Sequence, residues 1–200
     1  MVPAQYEGLW RRTGIWRSNG SSDLSTQVWW FQSACYHIDL RIPAGRVGIN
    51  GFAGLTVVEG DRCEWRPAIA YPAISAELDA GWMRFDDADH IHETGLDHSY
   101  EEDWYREPAG AMHGVRLHDP HSDALAYLLI SDHWMAWACG RPSAPCEITV
   151  YRRELEWTAL ASNLAGSAPP ASALTLAQVS AWQAGTTIEV SMTPGVSWRV

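Results

Sequence analysis

Residues 26–43 read TQVWWFQSACYHIDLRIP and contain the clearest strand pattern in this 200-residue sequence. Aromatic and β-branched residues dominate both halves, which predicts two β-strands joined by a turn. The second strand alternates, so its two faces differ. One face is apolar and consists of Tyr36, Ile38, Leu40 and Ile42. The other face carries a base, an acid and a cation, which are His37, Asp39 and Arg41.

The sequence leaves two orientations of this strand open. In an ordinary barrel the apolar face packs inside, and His37, Asp39 and Arg41 face the solvent. In a barrel with a polar cavity the three polar side chains line that cavity. Arg41 would then bind a ligand carboxylate through two parallel hydrogen bonds.

The composition excludes several classes of function. All 14 basic residues are arginines, so mechanisms that need a catalytic lysine are excluded. The formal net charge of −10 argues against nucleic acid, which needs a basic patch, and against an anionic membrane surface. Apolar runs are too short to span a membrane, and residues 1–12 lack the apolar core of a signal peptide. We therefore expect a cytoplasmic protein.

The four cysteines are scattered and include no Cys-x-x-Cys pair. They are Cys35, Cys63, Cys139 and Cys146. In a reducing compartment we expect four free thiols. Cys139 and Cys146 flank a short loop, but spacing alone does not predict a bridge between them.

Short strand-like segments recur along the chain as far as residue 157, and Gly, Asn or Asp turns end most of them. Sequential hairpins without long crossovers predict an all-β fold, an antiparallel up-and-down β-barrel of about ten strands. We assign residues 1–158 to the barrel core. Residues 159–200 form an Ala/Ser/Pro-rich arm of the same domain, with a short helix from Ser172 to Ala184 and a closing hairpin.

The strand at residues 100–107 contains the first candidate catalytic residue. One of its faces is almost entirely acidic and must contact water. The opposite face places Glu102 between Tyr100 and Trp104 inside the barrel. A carboxylate in that position either has a raised pKa, as general acids and bases do, or pairs with an arginine and fixes strand register.

Glu93 is the second candidate catalytic residue. It shares a strand face with Ile91, and a short turn separates its strand from Tyr100. Two inward carboxylates on adjacent strands would form an acid/base pair. The alternative is a solvated carboxylate at the barrel rim.

Aromatic residues and one amide complete the candidate ligand-binding set. Trp30 and Gln32 share a strand face, and a Gln beside a Trp is typical of contacts that orient a ligand in an apolar pocket. The complete set is Trp30, Gln32, His37, Asp39, Arg41, Trp65, Tyr100 and Trp104. No spacing is diagnostic of a metal, and nucleotide-binding and hydrolase motifs are absent, so we expect no metal and no cofactor.

Several short motifs carry a resemblance to a known family. They are GLWRR at 8–12, TQVWWFQ at 26–32, DLRIP at 39–43, GFAG at 51–54 and YEEDW at 100–104. The sequence resembles a family of uncharacterised bacterial proteins that are similar to the fungal HRI1 proteins. The resemblance implies a single calycin-like, lipocalin-type barrel and no particular activity. The sequence departs from the family where Arg66 and Pro67 replace a His-Arg pair, and again from Ala159 onward.

Three functions are compatible with these residues. The first is binding of a small apolar or aromatic molecule, with or without a carboxylate, in the barrel cavity. The second is a cofactor-independent lyase, isomerase or cyclase that uses Glu102 or Glu93 as general acid and base. The third is a structural or protein-interaction barrel with a filled core. We expect a small-molecule ligand, no nucleic acid or membrane partner, and a monomer or homodimer.

Overall fold

The computed structural model describes residues 1–166, 168–171 and 173–200, and its first nine strands form one antiparallel sheet. Strands β1 to β9 are Gly8–Arg17, Ser22–Asp23, Gln27–Gln32, Tyr36–Ile42, Asn50–Glu59, Arg62–Tyr71, Asp79–Phe85, His90–Gly95 and Tyr100–Glu107. The two-residue β2 lies beside the end of β1, and β3 to β9 pair in chain order. Because β1 pairs with both β3 and β9, eight strands close into a barrel.

The remaining strands form a second antiparallel sheet that packs against the outside of the barrel. Strands β10 to β16 are His113–His118, Leu125–Ile130, Trp134–Gly140, Glu147–Arg153, Trp157–Ser162, Thr187–Glu189 and Ser197–Arg199. A single short α-helix, α1, spans Leu176–Ser180 between β14 and β15 in the described part of the chain. The strand order in this sheet is β14-β13-β12-β11-β10-β16-β15.

The predicted all-β antiparallel barrel is confirmed, but its strand number differs from the expected one. The barrel closes with eight strands instead of about ten. The strands that follow Glu107 belong to the second sheet. A hairpin pattern does not reveal this boundary, because β9 turns to pair with the distant β1 and not with the next strand along the chain. Pro108 and Gly110, the latter at a φ of 75°, separate the two sheets.

The C-terminal segment differs from its predicted form. Ser172, the expected helix cap, lies outside the described residues. The helix begins after Thr175, which exchanges hydrogen bonds with Gln178 in a reciprocal capping box, and it ends at Ser180 instead of Ala184. The terminal hairpin was expected to close the barrel. It extends the second sheet, because β16 pairs with β10.

Apolar side chains form three buried clusters. The first lies inside the barrel and consists of Val2, Tyr6, Trp10, Val28, Trp30, Cys63, Trp65, Met83, Ile91 and Trp104. The second lies between the barrel and the second sheet and includes Leu40 of β4 and Leu129 of β11. The third covers the other face of the second sheet and includes Leu128, Val179 and Trp198.

The orientation of β4 is the reverse of that in an ordinary barrel. Ile38 and Leu40 are fully buried outside the barrel, in the layer shared with the second sheet. Asp39 and Arg41 face the interior and line its cavity. The second sheet explains this orientation, because it supplies an apolar partner for the outer face of β4.

A 3₁₀ helix, Ala4–Tyr6, closes one end of the barrel. The Tyr6 ring is buried against Phe85, with 4.9 Å between the ring centroids, and the Trp10 indole donates a hydrogen bond to the Tyr6 carbonyl. The opposite end is open between the loops that connect the strands. Within the described residues, no helix is long and apolar enough to cross a membrane.

Candidate ligand-binding site

The barrel contains a cavity of about 640 Å³ that opens between the connecting loops. Its walls include six aromatic side chains, Trp30, Phe52, Trp65, Tyr71, Tyr100 and Trp104. Pockets for small organic molecules have volumes of roughly 300–1,000 Å³ and mostly apolar walls. The cavity therefore has the size of a small-molecule site.

Trp30 stands at the centre of the aromatic wall. Its ring centroid lies 5.3 Å from that of Trp65 and 5.6 Å from that of Trp104, and both pairs meet nearly edge to face. β3, β6 and β9 supply these side chains, so three separate strands hold the wall. Edge-to-face packing is the favoured geometry of aromatic pairs, and the wall is therefore preformed.

Charged side chains line the rest of the cavity, and acids outnumber bases. Seven carboxylates border it, those of Asp23, Asp39, Glu77, Asp79, Glu93, Asp97 and Glu102. Three guanidinium groups border it, those of Arg12, Arg17 and Arg41. The cavity is electronegative, and the pairing of its arginines decides what it offers to a ligand.

Arg41 is held by two carboxylates and is not a free cation. Its Nε lies 2.7 Å from Asp39 Oδ1, and its Nη2 lies 3.3 Å from Asp79 Oδ2. Burial opposes the charged form, but these two carboxylates raise the pKa of Arg41 above its ordinary value. Burial raises the pKa of Asp39, and Arg41 opposes that rise. A ligand carboxylate at Arg41 would have to displace one of its present partners.

Glu102 also has a cation partner, as one of its two interpretations predicts. Arg12 Nη1 donates a hydrogen bond to Glu102 Oε1 at 2.6 Å, and the two side chains are only 6% and 7% exposed. Asp23 approaches the same guanidinium group at 4.0 Å. Burial raises the pKa of Glu102, and Arg12 opposes the rise. Since the pair joins β1 to β9, it supports a role for Glu102 in strand register.

Glu93 lies opposite Glu102 in the β8–β9 ladder, and the described residues provide no arginine partner for it. The Tyr100 hydroxyl donates to Glu93 Oε1 at 2.9 Å, and the Trp104 indole donates to Oε2 at 3.0 Å. Burial, followed by the negative charges of Glu102 and Asp79, raises the pKa of Glu93 well above its ordinary value. Glu102 thus points into the barrel, as predicted, and Glu93 takes the inward one of the two positions that the sequence left open; their catalytic roles stay predictions.

Gln32 and His37 are buried beside the cavity but do not line it. Gln32 Oε1 accepts hydrogen bonds from Trp30 Nε1 at 3.1 Å and from Thr56 Oγ1 at 2.7 Å. His37 Nδ1 lies 3.0 Å from Thr56 Oγ1, and burial lowers the pKa of His37 to about 3. This network orients Trp30. The other predicted residues line the cavity, namely Trp30, Asp39, Arg41, Trp65, Glu93, Tyr100, Glu102 and Trp104.

Sequence reasoning missed several residues of the site. Arg12 shares a strand face with Trp10, and this parity could have placed it inside the barrel. Asp79 begins a strand after the loop at residues 72–78, and nothing in the local pattern marks it as the second partner of Arg41. Gly81 also shapes the site, because a Cβ there would lie 2.6 Å from Glu93 Oε1.

The cysteines and the metal-binding residue types add no further site. All four cysteines are free thiols, and two of them, Cys63 and Cys146, are buried. Within residues 1–166, 168–171 and 173–200, no three His, Cys, Asp or Glu side chains are grouped as metal ligands.

No protein-family model matches the sequence, and no curated protein matches it. The structure is similar to the crystal structure of an uncharacterised protein from Saccharomyces cerevisiae, with a TM-score of 0.68 and 14% sequence identity over 96% of each chain. A lipocalin-like protein from Bacteroides uniformis aligns over 52% of this chain and 100% of its own, with a TM-score of 0.41 and 9% identity. The first comparison shows a shared fold over almost the whole of both chains. The closed eight-stranded antiparallel barrel has a lipocalin-like architecture.

Proposed function

We propose that this protein binds a small, largely aromatic molecule in the barrel cavity. The observation that carries the proposal is the cavity of about 640 Å³ beside the packed indoles of Trp30, Trp65 and Trp104. An eight-stranded barrel either fills its interior with side chains or holds one small ligand. The open volume favours ligand binding over a structural barrel with a filled core.

The wall of the cavity favours a flat, apolar ligand body. Burying apolar surface contributes about 25 cal/mol per Å², and aromatic side chains offer large rigid faces for it. A ligand carboxylate is less favoured, because Asp39 and Asp79 already bind Arg41. We propose that binding needs no cofactor, nucleic acid or membrane and occurs in the cytoplasm, in a monomer or homodimer. We also propose that the chain is a member of the bacterial family that its motifs resemble.

Glu93 supports a second candidate function, a cofactor-independent lyase, isomerase or cyclase. Its raised pKa favours the protonated carboxylic acid, and the Tyr100 hydroxyl lies 2.9 Å from one of its oxygens. A carboxylic acid of raised pKa in a cavity can give a proton to a ligand and take it back. Glu102 is the weaker candidate, because Arg12 holds it as a carboxylate.

Calorimetric titration of the full chain with neutral aromatic compounds tests ligand binding. The compounds are indole, 1-naphthol and 4-phenylbutan-1-ol. We expect at least one to bind, and we expect Trp65→Ala to weaken that affinity about tenfold through lost apolar contact. Trp82→Ala is the matched control, because Trp82 is 43% exposed on the neighbouring strand β7 and should leave affinity unchanged. Trp65→Phe replaces Trp65→Ala if the latter fails to fold.

The same mixtures separate a binder from an enzyme. Proton NMR spectra recorded over hours show whether any bound compound is converted. An enzyme would lose turnover in Glu93→Gln while keeping its binding affinity. Equal turnover in this variant would contradict Glu93 as the acid/base residue, and binding of none of the compounds would contradict the proposed function.

A further inference from the structure

We infer, on the basis of the proposed function, that the cavity selects a ligand with a positive charge. The ligand is an aromatic amine whose ammonium group pairs with the Glu93 carboxylate while its apolar part contacts Trp30 and Trp104. Three features of the cavity support this ligand class. They are an imbalance of charge, a carboxylate without a cation, and an aromatic wall beside that carboxylate.

The imbalance of charge is the first feature. Arg12 and Arg41 each approach two carboxylates at 4.0 Å or less. The four acids in these pairs are Asp23, Asp39, Asp79 and Glu102. Glu93 is a fifth acid, so two guanidinium groups face five carboxyl groups, and the four acids paired with arginine already exceed the two cations. A bound cation would offset this excess of negative charge, whereas a bound carboxylate would increase it.

The hydrogen bonds of Glu93 are the second feature. Each of its oxygens accepts a bond from a neutral donor, the Tyr100 hydroxyl or the Trp104 indole. These donors fix the orientation of the carboxyl group. An ionised carboxylate has about four acceptor sites, so two remain for the N–H groups of an ammonium ion. A charge-assisted bond of this kind is stronger than a bond between neutral groups.

The aromatic wall is the third feature. The Trp104 indole that donates to Glu93 also packs against Trp30, with 5.6 Å between ring centroids. The edge of the Trp104 ring points at the carboxylate, so the two indoles offer an apolar surface beside Glu93 for the body of the ligand. A carboxylate and indole rings therefore meet at the place where an ammonium group would lie.

The mouth of the cavity carries charge of the same sign. Three acids, Asp23, Glu77 and Asp97, border it against one further arginine, Arg17, so its net charge is negative, and the whole chain has a formal charge of −10. The hydrogen bond from the Thr26 hydroxyl, together with bonds from Ser25, lowers the pKa of Asp23, which therefore stays ionised. A negative mouth raises the local concentration of cations and hinders the entry of anions.

Binding of an amine is coupled to the release of a proton. Burial raises the pKa of Glu93, so an ammonium group must displace the proton that the empty site favours. Affinity for the amine therefore rises with pH until Glu93 is ionised in the free protein. The titratable and charged groups that face Glu93 are Tyr6, Arg41, Cys63, Asp79, Tyr100 and Glu102. Burial raises the pKa of Tyr6, Cys63 and Tyr100, so these three stay neutral.

Three compounds that share one skeleton and differ in charge test the inference. They are 4-phenylbutylamine, 4-phenylbutan-1-ol and 4-phenylbutanoate, each titrated calorimetrically into the full chain at neutral pH and low ionic strength. We expect the amine to bind about tenfold more tightly than the alcohol, and the carboxylate to bind most weakly. Glu93→Gln should abolish the advantage of the amine. Glu101→Gln, which removes an equal charge from the exposed face of β9, should preserve it.

Each other outcome has a distinct meaning. An amine that binds no more tightly than the alcohol overturns the charge preference and leaves ligand binding intact. A carboxylate that binds most tightly also overturns it and makes Arg41 the ligand partner. Failure of all three compounds to bind counts against the proposed function itself.

Proton release provides a second measurement that needs no variant. Titration of the amine into the wild-type protein in phosphate and in Tris buffer gives the number of protons released. We expect up to about one proton per bound amine and none per bound alcohol. An amine that binds without releasing a proton at mildly acidic pH would overturn the pairing with Glu93.

Discussion

Glu102 and Glu93 are register partners on adjacent strands, and their environments differ in one respect. Glu102 has a guanidinium group at 2.6 Å, whereas Glu93 has a phenol and an indole. Both carboxylates are buried, but only the charge of Glu102 is balanced by an adjacent cation. Glu102 forms part of an ion pair within the barrel wall, and Glu93 remains available to a ligand.

Arg12→Leu should lower the free energy of unfolding by about 3–5 kcal/mol, because it leaves the Glu102 carboxylate buried without its cation. Urea unfolding at neutral pH measures the loss. The double variant Arg12→Leu/Glu102→Leu should recover much of it, since neither charge then remains buried. A single variant as stable as the wild type would contradict the importance of the pair.

Glu93→Gln should change the pH dependence of stability. The pKa of Glu93 is raised in the folded protein, so the wild type binds more protons folded than unfolded and loses stability as the pH rises above the ordinary pKa of 4.5. The variant lacks this loss. Its stability relative to the wild type should increase by up to about 1.4 kcal/mol per pH unit above that point.

Thermal unfolding from mildly acidic to mildly alkaline pH measures this difference. Glu101→Gln is the control, because its side chain is exposed on the outer face of the same strand. If the difference in stability between the wild type and Glu93→Gln stays constant with pH, the pKa of Glu93 is not raised in the folded protein.

Strand parity predicted the inward position of Glu102 and allowed that of Glu93, but it did not predict their partners. Alternation along residues 100–107 places Glu102 inside, and the parity of Ile91 does the same for Glu93. The Arg12–Glu102 pair joins residues 90 positions apart, and it depends on the register of β1 against β9. No local pattern contains that register.

The element whose environment matters most is β4, which is buried on both faces. Its polar residues face the cavity, and its aliphatic residues face the second sheet. The alternation in the sequence predicted two different faces correctly. It did not predict which face of β4 points into the barrel. That orientation depends on the second sheet, whose position cannot be inferred from the residues of β4 alone.

Leu40→Ala should cost about 2–5 kcal/mol of unfolding free energy, although Leu40 lies outside the barrel, because it is fully buried beneath the second sheet. Leu55→Ala is the matched control on β5. Leu55 is 48% exposed, and its truncation should cost no more than about 0.5 kcal/mol. Equal costs for both variants, measured by urea unfolding, would contradict the position of the second sheet.

At the scale of the whole molecule, one apolar cluster contains residues of both sheets. This arrangement supports the prediction that the chain is a single domain. A chain ending at residue 110 should therefore expose the outer apolar face of the barrel and self-associate. Size-exclusion chromatography with light scattering measures its mass beside the intact chain. A folded, monomeric fragment would show that the barrel is a domain of its own.

The class of fold was predictable from the sequence, whereas the division into two sheets was not. Strand spacing and turn residues predicted antiparallel hairpins throughout, and the structure has them in both sheets. Hairpins contain no information about where a sheet closes on itself. The barrel closes only when β9 pairs with β1, and the segment after residue 158 joins the second sheet only when β16 pairs with β10. Both pairings are distant in sequence.

The pairing of β1 with β9 also affects the chain while it is being synthesised, because the two strands are made at different times. Ribosomes add roughly 5–20 residues per second, so Arg12 is made on the order of 5–20 s before Glu102, which lies 90 positions later. During that interval the nascent chain has one long unpaired edge at β1, with an arginine that still lacks its counter-charge. The second sheet is synthesised later still, and the aliphatic surface of β4 stays uncovered until it arrives. The growing chain therefore exposes the edge of β1 until residue 107 emerges, and the aliphatic surface of β4 for longer.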